Sequence, residues 1–292
     1  MIIELDARKP YDFATSVRDH GWIALLPFHW LDEQKAVQRV ERLSSGKVVL
    51  LQLTSKDVDK AERIFVDVQA EQKPTKAEQQ EIRDKVGWML RLDEDMSDFY
   101  HRCESDPELL VKLASGRGRL LRSATLFEDV VKTICTTNTM WSQTKGMVTR
   151  IVDCLGDVYP LAPELHAFPT PEQVAAADDV WFQTEIRLGY RNAFVLKLAR
   201  EIAEGKRDLE ALKTSDLPAK ELKKELKQIT GVGDYAAHTL LMLLSRYDEV
   251  AVDTEFRSFV SKKYGQMTDK EMAALYDRWD RWKYLAYWFE AW

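Results

Sequence analysis

Leu217 to Ser245, LPAKELKKELKQITGVGDYAAHTLLMLLS, holds two helical patterns separated by Ile229-Thr230-Gly231-Val232-Gly233. The glycines permit a tight turn and let another backbone approach closely. The second helix starts directly after them, so its free N–H groups and positive dipole end point outward. Such a terminus binds a phosphate without help from basic side chains. Taken alone, Gly-Val-Gly fits a tight loop between two packed helices better. The next feature adds weight: in Val250-Ala251-Val252-Asp253-Thr254, Asp253 stands 18 residues after Tyr235 with apolar flanks.

Working outward, 292 residues suffice for two domains and more than one core. Apolar residues make up 45% and charged residues 31%, the balance of a folded soluble protein. No apolar run approaches the ~20 residues that span a bilayer, and MIIELDARKPYDF predicts no signal peptide. Three cysteines without a CxxC predict a reducing, cytoplasmic setting and neither a disulfide scaffold nor a zinc ribbon. None follows Cys154, which excludes an iron–sulfur loop in the C-terminal part.

The net charge of −6 is unlike that of a typical nucleic-acid binder, yet residues 92–108 alone carry −6. Residues 187–230 carry +4, and Gly116-Arg117-Gly118-Arg119-Leu120-Leu121-Arg122 adds three arginines on a Gly-rich turn. These stretches read either as solvated helix surface or as a basic face opposed to an acidic one.

The first part of the chain reads as mixed α/β. Candidate strands are Gly21–Pro27, Lys47–Leu53 and Glu62–Val68, and a helix is predicted from Lys76 to Leu92. The acidic stretch that follows reads as a connector. Beyond it the pattern is helical. Phe127, Val130, Val131 and Ile134 form one stripe, and Met147, Val148, Ile151, Cys154 and Leu155 form the next. Thr125-x-x-Glu128 reads as a capping box, Thr170-Pro171-Glu172-Gln173 as another helix start, and Thr268-x-x-Glu271 as the start of the last helix. The reading is a mainly α protein: an α/β N-terminal domain at 1–92, then a helical domain at 93–292.

A helix–hairpin–helix followed by an acid at this spacing resembles the signature of the HhH-GPD superfamily of DNA base-excision glycosylases. Similarity to its 8-oxoguanine and alkyladenine (3-methyladenine DNA glycosylase II) branches covers roughly residues 88–290. Arg119-Leu120-Leu121-Arg122, Leu126-Phe127-Glu128-Asp129 and Ile134-Cys135-Thr136-Thr137-Asn138 resemble a helix and loop of the oxoguanine enzymes. Gly146-Met147-Val148 and Phe168-Pro169-Thr170 continue the match, Leu188-Gly189-Tyr190-Arg191 resembles their second wedge segment, and Trp282-Lys283-Tyr284-Leu285-Ala286-Tyr287-Trp288 resembles the closing helix. The implied fold is the helical HhH-GPD glycosylase fold preceded by a small antiparallel α/β domain.

The resemblance implies roles. Asn138 would fill the hole left by a flipped base, Tyr190 would wedge, and Arg191 would read the estranged base. Ile229, Gly231, Val232 and Gly233 would grip the flanking phosphate, with a K⁺ or Na⁺ at the carbonyls of Ile229 and Val232. Asp253 would stabilise the oxocarbenium-like sugar and orient water; it reads equally as the N-cap of a helix over 254–264. Two departures carry information. Tyr235 stands where bifunctional members have a Lys, and a phenol cannot form their imine, which implies a monofunctional enzyme. Gln143 stands where the oxoguanine branch has a second Arg, and a Gln cannot reproduce an Arg fork, which implies relaxed opposite-base choice. Trp279, Trp282, Trp288 and Trp292 crowd the C-terminus with Tyr284 and Tyr287. At helical spacing such rings are mostly core, but Trp282, Tyr235 and Trp141 are candidates to line a pocket for a cationic, alkylated base. The expected partner is double-stranded DNA carrying a damaged base, bound by a monomer away from membranes. The other readings are an oxoguanine-type glycosylase with relaxed pairing and a catalytically silent lesion-binding protein.

Overall fold

The computed structural model describes residues 1–58, 61–113 and 116–291. The chain forms two compact units, each discontinuous in sequence: Met1–Glu94 with Arg119–Glu210, and Asp95–Gly118 with Ala211–Trp292. Packing thus divides the chain otherwise than the pattern-based division at 92/93. No helix among the described residues is long and apolar enough to cross a membrane.

The first unit holds an antiparallel sheet of β1 (Ile2–Asp6), β2 (Phe28–Leu31), β3 (Ala36–Arg42), β4 (Val48–Val58) and β5 (Ala61–Gln69), in the order β1-β5-β4-β3-β2. Val49, Leu51 and Leu53 on β4 and Ile64, Val66 and Val68 on β5 are buried at every second position, the period that turns one face of a sheet inward. The expected strand at Gly21–Pro27 is instead a 3-10 turn over Gly21–Ala24. Its Trp22 is drawn into the core, where the indole donates to Asp129 Oδ1 at 2.7 Å. A two-stranded hairpin, β6 (Val158–Tyr159) with β7 (Ala162–His166), was not visible in the pattern.

The helix Leu126–Thr136 is buried on all sides from Leu126 to Cys135, well beyond its expected stripe. Its charges must therefore find partners. Thr125 caps it by accepting Glu128 N–H at 3.2 Å. The expected capping box is only half made, because the Glu128 carboxylate turns to Arg39 (3.0 and 2.7 Å) and Lys132 (2.7 Å). Glu210 supplies the remaining cap, accepting from Leu126 N at 2.8 Å. The arginines of the Gly-rich turn are also structural. Arg119 is buried and donates to the carbonyls of Arg91, Pro10, Arg8 and Glu94. Arg122 donates to Trp88 O at 2.6 Å and lies over that ring.

The second unit is helical. The expected acidic connector forms two of its helices, Ser97–Cys103 and Pro107–Leu113. Three of its acids are held within the unit: Asp98 by Arg102 and the Trp282 indole, Asp106 by Arg278, Glu108 by Lys263. The Thr268 capping box forms, but it opens a short helix, Asp269–Ala274, and not the last one. A break at Asp280 (φ 53°) separates that region from the final helix, Lys283–Ala291.

Candidate active site

The hairpin lies in the second unit. Helix Ala219–Lys227 leads through Ile229–Gly233 into helix Asp234–Leu243. Ile229 and Val232 are buried and seat the turn, which closes by Val232 N–H donating to Ile229 O at 3.0 Å. Gly231 has φ +93°, a conformation that disfavours any side chain. Gly233 is the N-cap of the second helix and makes no side-chain cap, so the first N–H groups are left to an external acceptor. Lys227 binds Asp234 at 2.8 Å, holding its carboxyl below the usual carboxylate range and offsetting an acid at this helix start.

Behind the turn, His238 joins both helices. Its Nδ1 meets Asp234 O at 2.7 Å, and its Nε2 meets Lys223 Nζ at 3.0 Å. Lys223 can only donate, so Nε2 accepts and the proton sits on Nδ1. Burial, with Lys223 adjacent, pushes this imidazole below its ordinary value and keeps it neutral. Lys223 also pairs with Glu249 at 2.8 Å, which ties the hairpin to the segment leading to Asp253.

Asp253 caps helix Thr254–Tyr264, its Oδ1 accepting from Phe256 N–H at 2.8 Å. The side chain is half-buried, and among the described residues its Oδ2 takes no hydrogen bond. The helix-cap and free-carboxylate readings are therefore compatible: one oxygen fixes the group and the other takes no hydrogen bond among the described residues.

The aromatic residues sort differently from expectation. Trp282 is a core residue at 2% exposure, packed on Phe99 and stacked on Tyr247 at 5.5 Å, with its indole N–H donated to Asp98. That placement does not fit the pocket-lining role. Tyr284 and Tyr287 both feel the charge of Asp253. Burial raises the Tyr284 phenol well above the ordinary value, and Tyr235, Tyr287, Asp253 and Glu255 raise it further by their proximity. Tyr284 also stacks on half-buried Trp288 at 6.2 Å and meets Tyr287 edge-on at 6.2 Å. Positions 284, 287 and 288 share one helical face, the spacing that could have singled them out over Trp282. Tyr235 is 44% exposed at the mouth of the hairpin. Trp292 lies outside the described residues.

The wedge candidates lie in the first unit, on two turns. Asn138 is exposed, at φ 46°, in the turn after helix Leu126–Thr136. Tyr190 is 54% exposed at the start of helix Arg191–Ala203, packed edge-on against Phe194 at 5.7 Å. Hydrogen bonding to Thr137, and further to Asn138, holds its phenol below the usual range. The structure therefore brings Asn138 and Tyr190 together. Arg191 is buried between them. It donates to Thr137 O, to Asn138 O at 3.5 Å and to Leu188 O at 3.3 Å, with its guanidinium 4.4 Å from the Tyr190 ring centre. Gln143 is exposed, its Oε1 accepting from Thr139 Oγ1 at 2.5 Å. Trp141 lies against Gly21, where an added Cβ would come within 3.0 Å of its ring.

No protein-family model and no curated protein matches the sequence. Solved structures do. A 3-methyladenine DNA-glycosylase from Archaeoglobus fulgidus superimposes with a TM-score of 0.77 at 20% identity, over 98% of this chain and 96% of that one. The 8-oxoguanine glycosylase/lyase of Clostridium acetobutylicum, in complex with double-stranded DNA containing cytosine opposite 8-oxoguanine, superimposes with a TM-score of 0.68 at 18% identity, over 100% and 97%. The chain has the fold of the helix–hairpin–helix DNA glycosylases, with the expected helical body and antiparallel N-terminal sheet.

Proposed function

We propose that this protein is a monofunctional DNA glycosylase of base excision repair that flips out a damaged, alkylated purine and hydrolyses its N-glycosidic bond. One observation carries the reading: Asp253 is anchored through Oδ1 at the head of its helix, and its Oδ2 takes no hydrogen bond among the described residues. The fold adds to it, since proteins that share it are glycosylases for a methylated and an oxidised purine.

A base inside a duplex is out of reach, so the nucleotide is extruded. The open helix start at Gly233 takes a backbone phosphate of that strand. A K⁺ or Na⁺ suits the carbonyls of Ile229 and Val232 as a donor set; Ile229 O already accepts one hydrogen bond and would offer its second lone pair. As the glycosidic bond breaks, positive charge grows on the sugar, and the Asp253 carboxylate lowers the energy of that charge and orients water. Tyr235 and the Tyr284 ring offer π faces, which favour a cationic alkylated base by about 1–2 kcal/mol. Asn138 and Tyr190 occupy the vacated stack.

The test is release of free base from a panel of duplexes carrying methylated, deaminated or oxidised purines. Release of a methylated purine ahead of 8-oxoguanine is the expected result; the reverse order favours the oxoguanine branch, and binding without release across the panel favours a silent lesion binder. Borohydride added to the same reactions should trap no covalent complex, because position 235 offers no amine. A trapped adduct would overturn the monofunctional assignment.

A further inference from the structure

Of the two exposed wedge tips, neither is free to choose its own conformation, and one buried side chain lies between them. Asn138 sits in the left-handed region, which asparagine tolerates better than other side-chain-bearing residues. The turn behind it is fastened from several sides. Thr137 Oγ1 donates to Ile134 O at 2.8 Å, and Thr144 Oγ1 donates to Cys135 O at 3.0 Å. The other turn is fastened too. Gly189 has φ +65°, Asn192 Oδ1 accepts from Leu188 N at 3.0 Å, and Arg150 donates to Ile186 O at 2.6 Å and to Arg187 O at 3.1 Å. Arg191 joins one turn to the other from the buried side, and the exposed Tyr190 hydroxyl does so through Thr137 and Asn138. The Arg191 guanidinium reaches the carbonyls of Thr137 and Asn138 on one side and of Leu188 on the other. Arg191 is 7% exposed, and its guanidinium carbon lies over the Tyr190 ring.

We propose that Arg191 is a positioning residue that locks Asn138 and Tyr190 into one preformed wedge, and that it does not read the estranged base. This deepens the glycosylase reading and rests on it. A guanidinium with donors spent on three carbonyls cannot also present a fork to a base edge without releasing the turn. With Gln143 offering no guanidinium fork either, the wedge then fills the gap with little regard for the base opposite.

The experiment compares wild type, Arg191→Ala and Arg191→Lys. Single-turnover excision is measured with the lesion opposite each of the four bases, and affinity is measured on undamaged duplex. Wedge insertion is followed by the fluorescence of 2-aminopurine beside an abasic site. A misplaced positioning group costs about a hundredfold in rate. The Ala variant should lose excision by about that factor, equally opposite all four bases, with duplex affinity unchanged and the 2-aminopurine rise abolished. The Lys variant should recover part of both, since an ammonium can still bridge two carbonyls. A loss confined to one opposite base makes Arg191 a reader and overturns the proposal. So does a parallel loss of duplex affinity, which marks general unfolding, and so does an unchanged rate. If wild type releases no base from any duplex, the glycosylase reading fails, and the 2-aminopurine response alone decides the role of Arg191: an equal rise in wild type and Ala variant overturns it.

Discussion

Asp253→Asn should lower base release about a thousandfold while leaving fold and duplex affinity in place. The two roles of this side chain separate cleanly in that substitution. Asn ranks with Asp as an N-cap, so the bond from Phe256 N–H to the cap oxygen survives. Only the charge is lost. A carboxylate about 4 Å from a developing cation, at an effective dielectric constant of 20, is worth about 4 kcal/mol, which is close to three decades in rate. Asp253→Ala should show the same loss of release and, in addition, about 1 kcal/mol less stability in urea, because the cap goes as well. Release by the Asn variant at the wild-type rate would reduce Asp253 to a helix cap and remove the observation on which the proposed chemistry stands.

What could be read from the chain and what could not divide along a physical line. The hairpin was legible because its signal is local: two helical periods, a glycine turn and an open helix start lie within thirty residues or so. The N-cap reading of Asp253 was legible for the same reason. The direction of a side chain was not. Arg191 looks outward in sequence, next to an exposed Tyr, and its burial depends on carbonyls 53 and 54 residues away. Trp282 is drawn into the core by Asp98, 184 residues away, and the break at Asp280 sets which face the next helix turns inward. The acidic run at 92–108 misled because charge density reads as solvated linker until its partners are known. The rest of the sheet, including β1, β2 and β3, escaped notice because Val37, Val40, Arg39 and Glu41 do not alternate apolar with polar, and the reason lies in partners on other elements.

Those partners underlie the second large effect, expected in the first unit: Glu128→Gln should cost about 3–5 kcal/mol of stability. Glu128 is 1% exposed and bonds Arg39, itself 1% exposed, through both oxygens, and Lys132 at 2.7 Å. Glu41 adds a second acid, 2.7 Å from Arg39 Nε and 2.7 Å from Lys85. Burial alone would raise the Glu128 carboxyl, but Arg39 and Lys132 outweigh it and hold it at about 2. For Lys132 burial wins, with Arg39 repelling it further, and its ammonium falls below the ordinary value. The cluster is thus balanced around one carboxylate. Neutralising it leaves two buried cations with Glu41 beside Arg39 and Asp129 near Lys132, whereas an isosteric apolar replacement of the whole cluster would not be penalised in this way. Urea unfolding at neutral pH reads the cost. The same measurement at falling pH gives a second check. A carboxyl lowered on folding adds stability that is full above its unfolded value, near 4.5, and lost as pH drops toward about 2. The gap between wild type and Glu128→Gln should therefore narrow across that window as wild type takes up the proton. A gap that stays constant down to the bottom of it would mean that the loss comes from packing around Phe28, over which Arg39 and Lys132 both lie, and not from the charge of Glu128.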